Sequence, residues 1–213
     1  MAEEYEIIFK GAEAYYSSLT DAPILASLAI FVIAILICND FSNRYIQTAI
    51  SSGYGRKQIL LSKFISVSFA FFVVLLPYPL VRTLVQSTLY GFGQPFNAQV
   101  LIKLVLDYFL MVLVVLALSG IVFVLAYRLK WTVLVIGISF LILVLGNSIF
   151  QSIALVNKSF MNIWVKTPLG LIFFLKTNLF SPHSALIAFV ISMITIILAL
   201  LISFYFFNKD ESF

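Results

Sequence analysis

The chain has 213 residues, 62% of them hydrophobic and 10% charged, with mean hydropathy +1.11. A soluble domain carries about 25% charged residues, so this composition excludes a soluble globular protein and marks an integral membrane protein. The formal charge of +4 reads as a topology signal, not a nucleic-acid footprint. The lone Cys38 excludes an internal disulfide and a cysteine-based zinc cluster, and the lone His183 cannot build a histidine-rich metal site.

Residues 1–21 begin with Glu3, Glu4 and Glu6, where a cleavable signal peptide would begin basic. Tyr5, Ile8, Phe9, Ala12, Tyr16 and Leu19 recur at helical spacing, which predicts a surface helix on the bundle or the membrane. Five stretches approach the ~20 apolar residues that a spanning helix needs. They are Ala22–Cys38, which is short, then Phe64–Val85, Leu104–Ala126, Trp131–Phe150 and Ser184–Phe207. They are continuously apolar rather than alternating, which favours helices over a barrel. The 22 Phe and 10 Tyr suit a helical bundle with interfacial belts.

The loops divide by charge. Between the first two spans lie Arg44, Arg56, Lys57 and Lys63, and the tight turn after the third holds Arg128 and Lys130. The loop "QSTLYGFGQPFNAQV" has no charge. Cytoplasmic loops collect Lys and Arg, so the first and third loops and the C-terminal tail, residues 208–213, are predicted inside and the N-terminus outside. Lys158, Lys166 and Lys176 fall on the predicted outer side, where long loops escape the rule in part. They sit in residues 151–183, apolar but interrupted at Pro168 and Gly170. Two readings stand: short helices dipping into the outer leaflet, or an amphipathic interfacial loop.

The first polar loop, "CNDFSNRYIQTAISSGYGRKQILLSKF", is exceptional in so apolar a chain. Ser42 is a fair N-cap. Asn43–Ser51 is predicted to be a short helix with Tyr45, Ile46, Ala49 and Ile50 on an apolar stripe. Gly53 tolerates the left-handed conformation that ends helices. Gly55 gives a second bend, and Arg56 to Lys63 opens the next span with cations at the membrane surface. From its residues alone this hairpin, 39–63, is either an element that seats in a groove on another protein or a solvated loop anchoring two helices.

"DFSNRYIQTAISSGYGRKQILLSKF" resembles the coupling-helix signature of ABC-2 type permeases, the membrane-spanning subunits of ABC exporters. It looks nearest to small permeases of bacterial antimicrobial-peptide immunity and efflux systems. The matching residues are Asp40, Phe41, Ile46, Gly53, Arg56, Ile59 and Lys63, while Arg44-Tyr45 stands where the family has a Gly-Thr step. The resemblance implies an all-α membrane domain over residues 22–207 in a bacterial cytoplasmic membrane, with 151–183 as re-entrant outer helices and 1–21 as an outer segment. It implies that Asp40, Phe41, Asn43, Arg44, Tyr45, Ile46, Gly53, Gly55, Arg56 and Lys57 dock an ABC ATP-binding subunit. The implied cargo is amphipathic or hydrophobic, and the implied second partner is another permease copy, identical or related. One departure stands out. The family usually has six spans with the coupling helix after the second, and here it follows the first.

No GxxxxGK[ST] occurs, so this chain does not itself cradle ATP phosphates. ATP and magnesium are expected on the partner, and no cofactor, metal or nucleic acid here. Asp107 lies inside the third span, where a carboxylate is a functional suspect, but Lys103 stands one turn earlier and predicts a snorkelling pair. Arg82 reads the same way. Pro77 and Pro79 should kink or break the second span, and Ala117–Gly120 suits close helix contact. A secondary, ion-coupled transporter is the alternative. It predicts mid-membrane ionisable groups and an internal repeat, of which Asp107 is the one candidate group. An intramembrane enzyme lacks a nucleophile–base pair.

Overall fold

The computed structural model describes residues 10–19, 21–164, 166–167, 169–171 and 182–209. Tyr5, Ile8, Phe9, Pro168, Lys176 and the tail beyond Lys209 lie outside the described residues. The described chain is helical throughout: α1 (Gly11–Leu19), α2 (Ala22–Ser42), α3 (Tyr45–Ser51), α4 (Arg56–Leu75), α5 (Pro77–Tyr90), α6 (Ala98–Leu129), α7 (Thr132–Phe140), α8 (Asn147–Val156), α9 (Lys158–Trp164) and α10 (Pro182–Lys209). A π-helical stretch, Leu141–Gly146, joins α7 to α8 in one rod.

Among the described residues, four helical stretches are long and apolar enough to cross a membrane: Arg56–Tyr90, Ala98–Leu129, Thr132–Val156 and Ala185–Lys209. The chain is therefore an all-α protein built to sit in a bilayer. α2 is a fifth apolar helix of 21 residues, about 31 Å long at 1.5 Å per residue.

α6 is the axis of the bundle and by far its most buried span. It packs most extensively against α10 and α2. Small residues make the α6–α10 contact close. A Cβ on Gly120 would stand 2.8 Å from the Ala199 Cβ, and Ala188, Ser192, Ile196, Ala199, Ser203 and Phe207 form the buried stripe of α10. In lipid the helices gain little from hiding apolar groups, so close packing of small residues holds them together. The run Ala117–Gly120 thus serves helix contact as its composition suggests. On α2 the buried stripe is Ile30, Ile33, Ala34, Ile37 and Cys38, while Phe31, Val32, Ile35 and Leu36 face outward.

The proline pair breaks the second span. α4 ends at Leu75 and α5 begins at Pro77, at its first helical position. Leu76 keeps right-handed helical angles, so the break is a change of direction without a loop. Proline at 77 and 79 withholds two backbone donors from the helix.

α1 packs against α5. Ala12 and Leu19 of the expected face are buried and Tyr16 is half-buried, but Tyr15 is the more deeply buried tyrosine. Gly11 permits this seating, because a Cβ there would lie 1.9 Å from the Ser87 Oγ. The N–H groups of Gly11 and Ala12 donate to the carbonyls of Gly91 and Phe92 at 3.1 Å each, satisfying donors that a helix start leaves open.

The fourth span extends past the expected Phe150 to Val156. α8 and α9 then fold back on each other. Asn157 caps α9, its Oδ1 accepting from the N–H groups of Ser159 at 3.0 Å and Phe160 at 3.2 Å. The middle of 151–183, residues 172–181, lies outside the described residues.

Candidate functional site: the hairpin end of the bundle

One end of the bundle gathers α3, the α6–α7 turn and the last turn of α10. Arg44, Arg56, Lys57, Lys63, Arg128, Lys130 and Lys209 meet there. Asp40 is the one carboxylate facing them among the described residues.

The hairpin differs from its sequence reading at its first turn. Ser42 is not an N-cap. It is the last residue of α2, and its Oγ donates to the Cys38 carbonyl at 3.1 Å. α2 runs one turn past Cys38, because Asn39, Asp40 and Ser42 can extend a helix into the interface without leaving polar groups in lipid. The chain turns instead at Arg44, which adopts the left-handed conformation with φ 58° and precedes α3. The short helix is therefore Tyr45–Ser51 rather than Asn43–Ser51.

Gly53 has φ +92°, the positive angle expected of a helix terminator. The Gly53 N–H donates to the Ile50 carbonyl at 2.9 Å and the Tyr54 N–H to the Ala49 carbonyl at 3.1 Å. Gly55 is extended, with φ −67° and ψ 141°. Its N–H donates to the Gln58 Oε1 at 3.2 Å, so Gln58 reaches back as the third residue of a capped helix.

Several contacts hold this element. Ile46 is buried and nails α3 to the bundle. The Lys63 Nζ lies 2.6 Å from the Asp40 Oδ2, tying the start of α4 to the end of α2. Arg56 turns inward, its Nη1 donating to the carbonyls of Phe207 at 2.7 Å and Asn208 at 3.0 Å, with its guanidinium 5.7 Å from the Phe207 ring centre. Helix C-termini leave carbonyls without donors, and a cation there meets the negative end of the helix dipole. Arg56 thus closes the last helix, a role that its place in the hairpin sequence did not signal.

What remains outward is polar and aromatic. Asn43, Arg44 and Lys57 are exposed, as are Tyr45 and Tyr54. The two tyrosines border a groove of about 460 Å³ between α3 and α4, floored by Ile46, Ala49 and Ile59. Phe41 faces inward, in a ring cluster with Tyr127 at 5.5 Å and Phe207 at 6.3 Å. Of the ten residues that the resemblance assigned to docking, Asp40, Phe41, Ile46 and Arg56 therefore hold the hairpin in place. Asn43, Arg44, Tyr45, Gly53, Gly55 and Lys57 form the accessible surface.

The opposite end corrects two pairings. Arg82 does not snorkel alone. Its Nη1 donates to the Asp21 Oδ2 at 2.8 Å and to the Tyr78 Oη at 3.2 Å, and the Tyr78 hydroxyl also donates to Asp21. Lys103 and Asp107 make no direct ion-pair contact, although the Lys103 charge still acts on the carboxylate. The described ion pairs are Lys63–Asp40 and Arg82–Asp21. The Lys103 ammonium lies 5.8 Å from the Tyr16 ring centre, so α1 offers it a cation–π partner invisible from α6 alone. Asp107 is buried, and its Oδ2 accepts no hydrogen bond. Close by, the Tyr15 hydroxyl donates to the Leu104 carbonyl at 2.5 Å. Burial, with the charge of Asp107 second, pushes the phenols of Tyr15 and Tyr16 up from their ordinary range. Beside them is an almost wholly apolar cavity of about 460 Å³ between α5 and α6, with Phe72, Leu80, Leu84, Leu104 and Tyr108 in its wall.

No protein-family model matches this chain, and no curated protein matches it either. No group of three or more His, Cys, Asp or Glu residues placed to hold a metal occurs among the described residues.

Proposed function

We propose that this chain is the membrane-spanning subunit of an ATP-driven exporter of the ABC-2 type, with five spans, α2 being the first, and the hairpin end in the cytoplasm. The observation that carries the reading is α3, a short helix fixed to the bundle by Ile46 with Tyr45 and Tyr54 exposed beside a groove. An element anchored on one face and aromatic on the other suits docking into a partner, since aromatic residues supply large contact area at low entropic cost. The partner is an ATP-binding subunit, and a second permease copy completes the pathway. The cargo class is amphipathic or hydrophobic, in keeping with the apolar cavity between α5 and α6. The bacterial cytoplasmic membrane is the proposed location, on the charge asymmetry between the two ends.

A photo-crosslinking residue at Tyr54, introduced in native membranes, tests this. It should capture a protein that an azido-ATP probe labels, and the same residue at the lipid-facing Phe69 should not. Capture of lipid alone at Tyr54 sinks the reading.

A second reading is ion-coupled transport, and the buried Asp107, whose Oδ2 accepts no hydrogen bond, favours it. The two separate on one substitution. In reconstituted vesicles Asp107→Asn should leave ATP-dependent export largely intact. If a proton gradient alone drives transport and Asp107→Asn abolishes it at normal protein levels, the ion-coupled reading replaces the first.

A further inference from the structure

The C-terminal ends of α6 and α10 enclose a cavity of about 360 Å³ lined by Tyr127, Arg128, Lys130, Tyr205, Phe206 and Lys209. Among the described residues, none of those lining it is acidic. Arg128 is in the last turn of α6, and Lys130 follows it in the left-handed conformation with φ 60°. Lys209 is in the last turn of α10. Asp40, the described carboxylate at this end, is engaged with Lys63.

The cations are positioned by aromatic faces. The Arg128 guanidinium lies 5.6 Å from the Phe206 ring centre, and the Lys130 ammonium 5.5 Å from that of Phe41. Stacking uses the face of a guanidinium and leaves the edge N–H groups as a fork that matches a phosphate. Arg128 and Lys209 enter no ion pair among the described residues.

The geometry points to a binding site for the phosphate of an anionic phospholipid headgroup. The choice of a lipid over a soluble anion rests on position. The cavity lies where two apolar spans end, with Tyr205 exposed on its rim. Tyrosine at a span end marks headgroup depth, and basic pockets between spans receive such headgroups. The inference rests on membrane embedding alone and holds under either transport reading.

The test compares the purified chain in zwitterionic phosphatidylcholine nanodiscs with increasing phosphatidylglycerol, reading retained lipid by native mass spectrometry. Phosphatidylglycerol should be retained selectively. Arg128→Gln with Lys209→Gln should weaken that selectivity about thirtyfold, and Arg128→Lys, which keeps the charge but not the stacked fork, should weaken it severalfold. Arg44→Gln with Lys57→Gln removes two charges from the same end outside the cavity and should change it far less. Equal losses in the two double variants would reduce the effect to general surface charge and overturn the site. Displacement of the lipid by millimolar inorganic phosphate, with no preference for the lipid, would overturn the assignment to a headgroup.

Discussion

The two ends of the bundle are closed in different ways. At the hairpin end single side chains bridge helices: Arg56 reaches the carbonyls of Phe207 and Asn208, and Lys63 holds Asp40. At the α1 end backbone lies on side chain and on backbone. Gly11 leaves no room for a Cβ beside Ser87, Gly93 none beside Lys10, and two N–H groups of α1 bond to loop carbonyls. The ion pair there, Arg82 with Asp21, is about one-third exposed on both sides, and such pairs contribute little. A closure made of a few charged contacts can open and re-form when a partner or counter-ion competes for them. One made of glycine-close packing opens only by losing its packing. The hairpin end is also where the accessible polar surface lies.

That contrast breaks under four substitutions, each read as thermal stability in detergent and, where stated, by a second probe. The largest effect belongs to the helix contact that joins the two ends. Gly120→Val would drive a rigid side chain into Ala199, whose Cβ is 2.8 Å from the new atom. A loss of about 3 kcal/mol is expected from overpacking, with partial rescue by Ala199→Gly; a neutral Gly120→Val would mean that α6 and α10 do not touch there.

Next comes Arg56→Gln. It removes two charge-assisted bonds to the end of α10 and should cost about 2 kcal/mol. Proteolysis at the end of α10 should accelerate while the α1 end stays protected. Equal loosening at both ends would erase the distinction drawn above.

Gly53→Val should cost about 1–2 kcal/mol, since a β-branched residue resists φ +92°. Apart from its chain neighbours, no described atom lies within 4 Å of a Cβ at this position, so the strain is confined to the hairpin. Altered labelling at Tyr54 with unchanged span insertion is the expected signature. The smallest change is Arg82→Met, below about 1 kcal/mol. A loss larger than that from Arg56→Gln would show that charge, not glycine packing, closes the α1 end.

Several local features were legible because they depend on neighbours in sequence. Gly53 ends its helix where only positive φ fits, and Pro77 begins a new helix because it has no N–H to give the old one. Ser42 misled because a serine hydroxyl can satisfy itself on the carbonyl four residues back, here Cys38, as readily as cap a helix ahead. Lys103 misled because its spacing to Asp107 is ideal on α6 while its ring partner, Tyr16, comes from α1. Arg82 found Asp21, and Arg56 found an acceptor 151 residues away. No local pattern encodes those meetings.

By itself the sequence determined that this chain is a helical membrane protein and which loops are cationic. Those follow from length and composition, because a bilayer demands about 20 apolar residues whatever surrounds them. The tertiary structure decided which face of each span is covered, which helix is the axis and which cations close the bundle. In water an apolar stripe marks the inward face. Against lipid both faces of α2 are apolar, Ile33 and Ile37 buried and Ile35 and Leu36 exposed, so hydrophobicity carries no direction. Small residues do carry it, at Ala188, Ser192, Ala199 and Ser203, because only they let two backbones approach.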